Sequence, residues 1–164
     1  MAEPRATRPG IQGYGIVDAD SGKGLYPWGW AAERLLNAHT YWVATTRPDG
    51  RPHIMPVWGI WLEGAFYFST GRQSRKARNL AANPACVVTL EINGESVIVE
   101  GVASEVRDPG LLGRLAKAYT AKYEWDMEGN EEPFFVVRPR VAFGFNENDS
   151  QFTSTATRWI FDGD

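Results

Sequence analysis

Three tight reversals constrain this chain more than any other feature. Asp49-Gly50, Glu63-Gly64 and Asn93-Gly94 each separate two runs rich in β-branched and aromatic residues. Loops this short, with glycine supplying a positive φ, join antiparallel neighbours, so much of the segment 41–106 is committed to antiparallel sheet. Residues 41–46, 52–61 and 65–70 read as three successive strands, with Phe66 and Phe68 on one face and Tyr67 and Ser69 on the other. Pro56 and Gly59 are poor ladder formers, so the second strand is expected to be bulged or edge-like around 55–59, the kind of irregularity that borders ligands. Residues 86–92 and 96–106 make a second hairpin, interrupted at Gly101. Residues 134–138, 141–145 and 158–161 read as closing strands.

Helical spacing appears in three places. Trp28, Ala31, Ala32, Leu35 and Leu36 form one apolar stripe over 28–37. A second helix covers 74–83 and stops at Asn83-Pro84. A third starts at Asp108-Pro109 and runs to about Lys122 on a stripe of Leu111, Leu112, Leu115, Ala118 and Tyr119. The expected fold is mainly β with inserted helices, a six- or seven-stranded antiparallel barrel. It occupies residues 28–164 as one domain, and the Gly- and Pro-punctuated residues 1–27 read as a flexible N-terminal arm.

Composition removes several classes. Seventeen Lys and Arg against twenty Asp and Glu leave a net charge of −3, which repels polyanions, so any phosphate must be held by a local cluster. One cysteine and two histidines cannot build a disulfide scaffold or a structural zinc site, and no metal is assigned. No apolar run is long enough to span a bilayer, and the first ten residues lack the apolar stretch of a secretory signal, so a cytoplasmic protein is expected.

The chemistry concentrates in residues 67–80, Tyr67-Phe68-Ser69-Thr70-Gly71-Arg72-Gln73-Ser74-Arg75-Lys76-Ala77-Arg78-Asn79-Leu80. A strand passes through a glycine loop into a helix whose first turn carries Ser74, Arg75 and Lys76. Cations there oppose the helix dipole at about 0.3–1 kcal/mol each. A phosphate held by free amides, the Ser74 hydroxyl and both cations would offset that cost. A solvated basic face is the competing reading.

Elsewhere the residues read more plainly. His39 caps a helix end, Cys86 is an inert buried thiol, and Trp61 is core or interface. Residues 124–133, with Trp125, form an acidic lid of no calcium-binding spacing. Ser69, Ser74 and Ser104 lack a companion His and Asp arrangement, and the catalytic residues are unknown.

Ser74-Arg75-Lys76-Ala77, followed by Asn83-Pro84 and an apolar strand, resembles the phosphate-binding segment of the pyridoxamine 5′-phosphate oxidase-like, FMN-binding split-barrel family. Upstream, Tyr41-Trp42-Val43-Ala44-Thr45-Thr46, Asp49-Gly50-Arg51-Pro52, Met55-Pro56-Val57-Trp58 and Phe66-Tyr67-Phe68-Ser69-Thr70 are similar, in order, to that family's first three strands. The resemblance implies a split β-barrel with Ser74, Arg75 and Lys76 on the cofactor phosphate. It implies His53, Met55, Pro56, Val57 and Trp58 along the isoalloxazine ring, with Ser69 and Thr70 under the ribityl chain. It also implies a homodimer with the cofactor at the subunit interface. The oxidase's C-terminal substrate-phosphate signature is missing from Thr155-Ala156-Thr157-Arg158-Trp159-Ile160-Phe161. That ending, together with the loop from Gly71 to Leu80, looks more like relatives some of which use the deazaflavin F420 instead of FMN; the cofactor implied by the family is FMN, with F420 the alternative.

The function implied is a flavin-dependent oxidoreductase that passes a hydride or two electrons to a small organic substrate, with no nucleic acid or membrane partner. His53 has a second reading as a barrel-lining or surface residue, because cofactor hydride chemistry needs no enzymic base. A non-catalytic flavin- or haem-binding carrier or sensor is the alternative function. An oligonucleotide-binding barrel using Arg72, Arg75, Lys76 and Arg78 is opposed by the net charge.

Overall fold

A computed structural model describes residues 3–16, 22–148, 150 and 152–162. The order of elements is β1 (Arg5–Thr7), α1 (Trp28–Asn37), β2 (Tyr41–Thr46), β3 (Pro52–Val57), β4 (Ile60–Leu62), β5 (Ala65–Ser69), α2 (Arg75–Ala82), β6 (Ala85–Ile92), β7 (Glu95–Glu105), α3 (Pro109–Tyr123), β8 (Phe134–Asn146), α4 (Phe152–Thr155) and β9 (Thr157–Ile160).

The strands form one antiparallel sheet in the order β1-β9-β8-β7-β6-β2-β3, with β5 also on β8 and β4 on β5. Its organiser is β8, expected as two strands and found as one of 13 residues. Its first part, Phe134 to Val137, pairs with β5, and its second part, Val141 to Gly144, pairs with β9. Between them the register against β7 slips: Glu100 faces Val141 and Gly101 faces Pro139, which leaves Arg140 as an extra residue. Pro139 cannot donate to the ladder, so the bulge falls where a donor is missing. A Cβ on Gly101 would crowd the Arg138 carbonyl oxygen and lie 2.9 Å from Val137 Cγ1, so only glycine permits that approach.

The expected strand 52–61 is instead divided at Trp58-Gly59 into β3 and β4. These are the two ends of the path β3-β2-β6-β7-β8-β5-β4, joined covalently, so the sheet curls back on itself. Tyr41 and Val43 of β2, Phe66 and Phe68 of β5, Val88, Val97 and Val137 accordingly share one interior, closed by Leu35 of α1 and Trp159 of β9. Each large apolar side chain buried there contributes about 1.5–3 kcal/mol. The opposite face of β4, β5 and β8, carrying Ile60, Tyr67, Phe134 and Val136, is covered by Leu115, Tyr119 and Tyr123 of α3. Period-two alternation thus serves two cores, one inside the barrel and one beneath α3.

Among the described residues nine strands stand where six or seven were expected. One expected strand is cut in two, and the arm supplies another. The arm expected over 1–27 is held at both described ends. Its strand β1 pairs with β9, while Tyr26 stacks on Trp30 at 4.4 Å and accepts the Trp159 indole N–H at 3.2 Å through its carbonyl.

Candidate functional site

The loop after β5 delivers the chain to the start of α2 under tight control. Ser74 caps the helix, its Oγ accepting the Ala77 amide at 3.2 Å and the Thr70 hydroxyl proton at 3.1 Å. Gly71 accepts the Ser74 amide at 2.9 Å. Arg72 is turned away: its guanidinium grips both Glu105 oxygens at 2.9 and 3.1 Å, and its amide donates to Glu132 at 3.2 Å. The structure therefore removes Arg72 from the cationic strip of residues 72–78. Arg75 is exposed, Lys76 is half-buried, and the first turn holds no acidic residue. Among the described residues neither cation has an ion-pair or hydrogen-bond partner. Burial lowers the proton affinity of Lys76, which nothing nearby offsets.

The β2–β3 hairpin approaches the same corner. Thr45 lies directly across from His53, so both side chains share the face turned toward α2. At the turn, Arg47 receives the chain back by donating its amide to Arg51 O at 2.9 Å, and its side-chain Nε is buried without a hydrogen-bond partner. The His53 imidazole is held below its ordinary value by burial first, then by the charges of Arg47, Lys76 and Arg75. Three cations thus converge on one imidazole with no carboxylate among the groups that shift it. An orphaned guanidinium nitrogen, a capped helix start and an unpaired, half-buried ammonium form the donor set a phosphate needs. Sequence reasoning passed over Arg47 as a turn residue. Its signal was the register of the Asp49-Gly50 hairpin, which sets position 47 beside the return strand.

The expected site residues do not all gather there. Thr70 and Ser74 are bonded at the start of α2, Arg75 and Lys76 follow in its first turn, His53 reaches α2 through Thr45 and Asn79 and feels both charges, and Ser69 ends β5 beside them. Met55 shares the His53 face of β3 and is 45% exposed, whereas Pro56 lies on the other face opposite Trp42. Val57 is buried in the barrel core. Trp58 lies about 16 Å of strand from His53, at ~3.3 Å per residue. It stacks flat on Tyr123 at 4.7 Å, with His39 at 6.0 Å and Trp125 at 6.1 Å. His39 packs its ring against Tyr123 at 5.1 Å.

Cys86 lies in the barrel core, and burial pushes its thiol up to about 12. It is expected to resist a thiol reagent at pH 8 in the folded protein and to react on unfolding. Rapid labelling of the native protein would contradict that burial. Among the described residues no three His, Cys, Asp or Glu side chains group as metal ligands, and no helix is long and apolar enough to cross a membrane.

A curled antiparallel sheet, divided along one bulged strand and bearing a cationic corner, defines a split-barrel protein. The chain belongs to the pyridoxamine 5′-phosphate oxidase family, whose sequence pattern matches residues 31–145, from α1 to near the end of β8. No curated protein matches the sequence significantly. Among solved structures, the chain is similar to a conserved hypothetical protein from Mycobacterium tuberculosis, with 23% identity, TM-score 0.67, and 83% of this chain and 89% of that one covered. An F420 reductase is 27% identical with TM-score 0.57, over 67% of this chain and 94% of its own. The heme storage protein HutZ from Vibrio cholerae has 20% identity and TM-score 0.60, over 68% of this chain and 89% of that one.

Proposed function

We propose that this protein is an oxidoreductase that binds FMN, with F420 as the alternative, and passes a hydride or two electrons to a small organic substrate. The observation that carries the reading is the corner of Arg47, Arg75 and Lys76 at the Ser74-capped helix start, cationic and unpaired in a member of this family. The solved F420 reductase that the chain resembles supports the alternative cofactor. When bound, either cofactor supplies the two-electron chemistry through its ring. This chain's part is to hold the phosphate on Ser74, Arg75, Lys76 and Arg47, to keep Thr70 on Ser74, and to offer the His53 and Met55 face of β3 to the flat remainder. Pro56, Val57, Trp58 and Ser69 stay in the proposal as residues farther along the same cofactor.

The reading includes a cytoplasmic homodimer with the cofactor between subunits, built on residues 28–164. Exposed Trp42 (45%) and Ile54 (52%), diagonal to each other on one face of β2 and β3, support an apolar interface there. The test is direct titration with FMN and with F420, followed by visible absorption and fluorescence. One of the two is expected to bind with its spectrum perturbed, and failure of both removes the proposal. Oxidation of the reduced, bound cofactor on adding a substrate marks an enzyme. A cofactor held without turnover under any substrate marks a carrier.

A further inference from the structure

We infer that His53 is a proton-accepting contact of the anion corner, set in place by Asn79 and Thr45, so that a dianion entering the corner brings a proton onto the imidazole. This rests on reading the corner as an anion site. Asn79 sits three residues after Lys76 and four after Arg75, on the same side of α2, yet it is fully buried. Its Nδ2 donates to Thr45 Oγ1 at 2.9 Å, while its Oδ1 has no partner. A buried polar side chain left half satisfied has a reason to be there other than packing. The reason offered by the geometry is Thr45, also buried, whose hydroxyl lies 3.5 Å from both His53 Nδ1 and the His53 carbonyl.

The Thr45 hydroxyl has one proton and two lone pairs. The Asn79 amide occupies one lone pair and orients the group. With a neutral imidazole, Thr45 gives its proton to Nδ1 and the ring carries its own proton on Nε2. With a charged imidazole, Nδ1–H donates to the second lone pair and the Thr45 proton turns to the His53 carbonyl. Either way the Thr45 hydrogen and any hydrogen on Nδ1 find an acceptor within the relay, so the ring changes charge without breaking it.

The charged groups facing His53 are Arg47 from the turn and Lys76 and Arg75 from α2. β2 contributes Thr45 and no charge, and Asp49 in the turn is bound to Arg51 at 2.7 Å. In the free protein burial and those three cations disfavour the charged ring. A dianion placed among them reverses the local field and favours imidazolium. Per anion bound, one proton then passes from solvent to the ring, over the pH range between the free and bound midpoints.

The experiment is a proton NMR titration of the imidazole Hε1 signals with and without saturating sulfate. Sulfate stays a dianion from pH 5 to 8, so any pH dependence belongs to the protein. The chain has two histidines, and His39 serves as the internal control. Sulfate is expected to raise the His53 midpoint by about one pH unit and leave His39 in place. Sulfate affinity then falls about tenfold as pH rises across the two midpoints, since the two effects are thermodynamically linked.

His53→Gln should bind sulfate with no pH dependence, and Thr45→Val should shrink the displacement of the midpoint. An unmoved His53 midpoint, absence of sulfate binding, or persistence of the pH dependence in His53→Gln would overturn the inference. If His53 responds to sulfate but neither FMN nor F420 binds, the redox proposal falls and this one stands. If a cofactor binds while sulfate leaves His53 unmoved, only this one falls.

Discussion

The double variant Arg47→Ala, Lys76→Ala is expected to bind FMN or F420 about 100- to 10,000-fold more weakly than the parent while melting no lower. Both halves follow from the same fact. Each side chain is a cation without a partner among the described residues, so each has its bonding capacity free for a ligand. A charge-assisted hydrogen bond contributes about 1.5–3 kcal/mol, two contribute about 3–6, and each 1.4 kcal/mol is a factor of ten in affinity. In the free protein neither side chain holds a hydrogen bond or a close ion pair, and the charge of Arg47 adds only a minor pull on exposed Asp49, which Arg51 already binds. Lys76 is half-buried with its ammonium disfavoured by burial, and both cations face His53. Removing them relieves that cost and leaves the melting temperature level or slightly raised.

A control separates a directed contact from a diffuse positive field. Arg78 lies on the same helix, is exposed, and is absent from the charges acting on His53. Arg78→Ala is expected to change cofactor affinity less than twofold, since a solvated charge acts only through a screened field. Fluorescence titration measures all three proteins. Equal losses in Arg78→Ala and the double variant would mean that the corner binds by general charge and holds no built site.

Why Ser74, Arg75 and Lys76 were legible in the sequence while Arg47 and Asn79 were not is a matter of range. Two cations in a helix's first turn break a local electrostatic rule, and a broken local rule is visible without a structure. Arg47 breaks none. It stands in a turn where arginine is ordinary, and it matters only because the hairpin leans over α2. Asn79 was hidden for the opposite reason: a polar residue amid Arg78 and Leu80 reads as solvent-facing, whereas its side chain is fully buried against β2.

The fold shows the same division. The stripe of Trp28, Ala31 and Leu35 placed α1 at the bounds observed, and the Asp49-Gly50 turn fixed the β2–β3 register. The continuity of β8 through Pro139 was hidden, because proline reads as a break unless a partner bulges to receive it. The irregularity around 55–59 was legible from Pro56 and Gly59, but not that it is a full break into β3 and β4. An extended run with one glycine is a strand or a corner, and a phenylalanine seven residues on decides which.

That corner carries the second large expectation: Gly59→Ala should cost roughly 3 kcal/mol or more, the upper end of what overpacking a core imposes. At this chain length that is a fall of about 6–12 °C in Tm. The backbone angle is no obstacle, since Gly59 is not among the glycines with positive φ. The obstacle is space. A Cβ would run into the Phe66 ring and sit 2.9 Å from the Tyr67 carbonyl oxygen. Phe66 is fully buried, with Tyr41 at 4.7 Å and Phe68 at 6.0 Å, and has nowhere to go.

Nor can the corner slide outward. The Gly59 amide donates to Tyr123 Oη at 2.8 Å, and its carbonyl accepts from Lys122 Nζ at 3.1 Å. Lys122 is itself tied to Tyr41 Oη at 2.8 Å and Leu36 O at 3.3 Å, so α3 clamps the bend onto α1 and β2. The same substitution at Gly113, in the exposed middle of α3 with nothing within 4 Å of the added carbon, should instead stabilise by up to ~1 kcal/mol through helix propensity. Thermal melts of the two variants are therefore expected to move in opposite directions from the parent. Melting of Gly59→Ala at the parent temperature would mean that β3 and β4 are not held in the tight corner that closes the barrel.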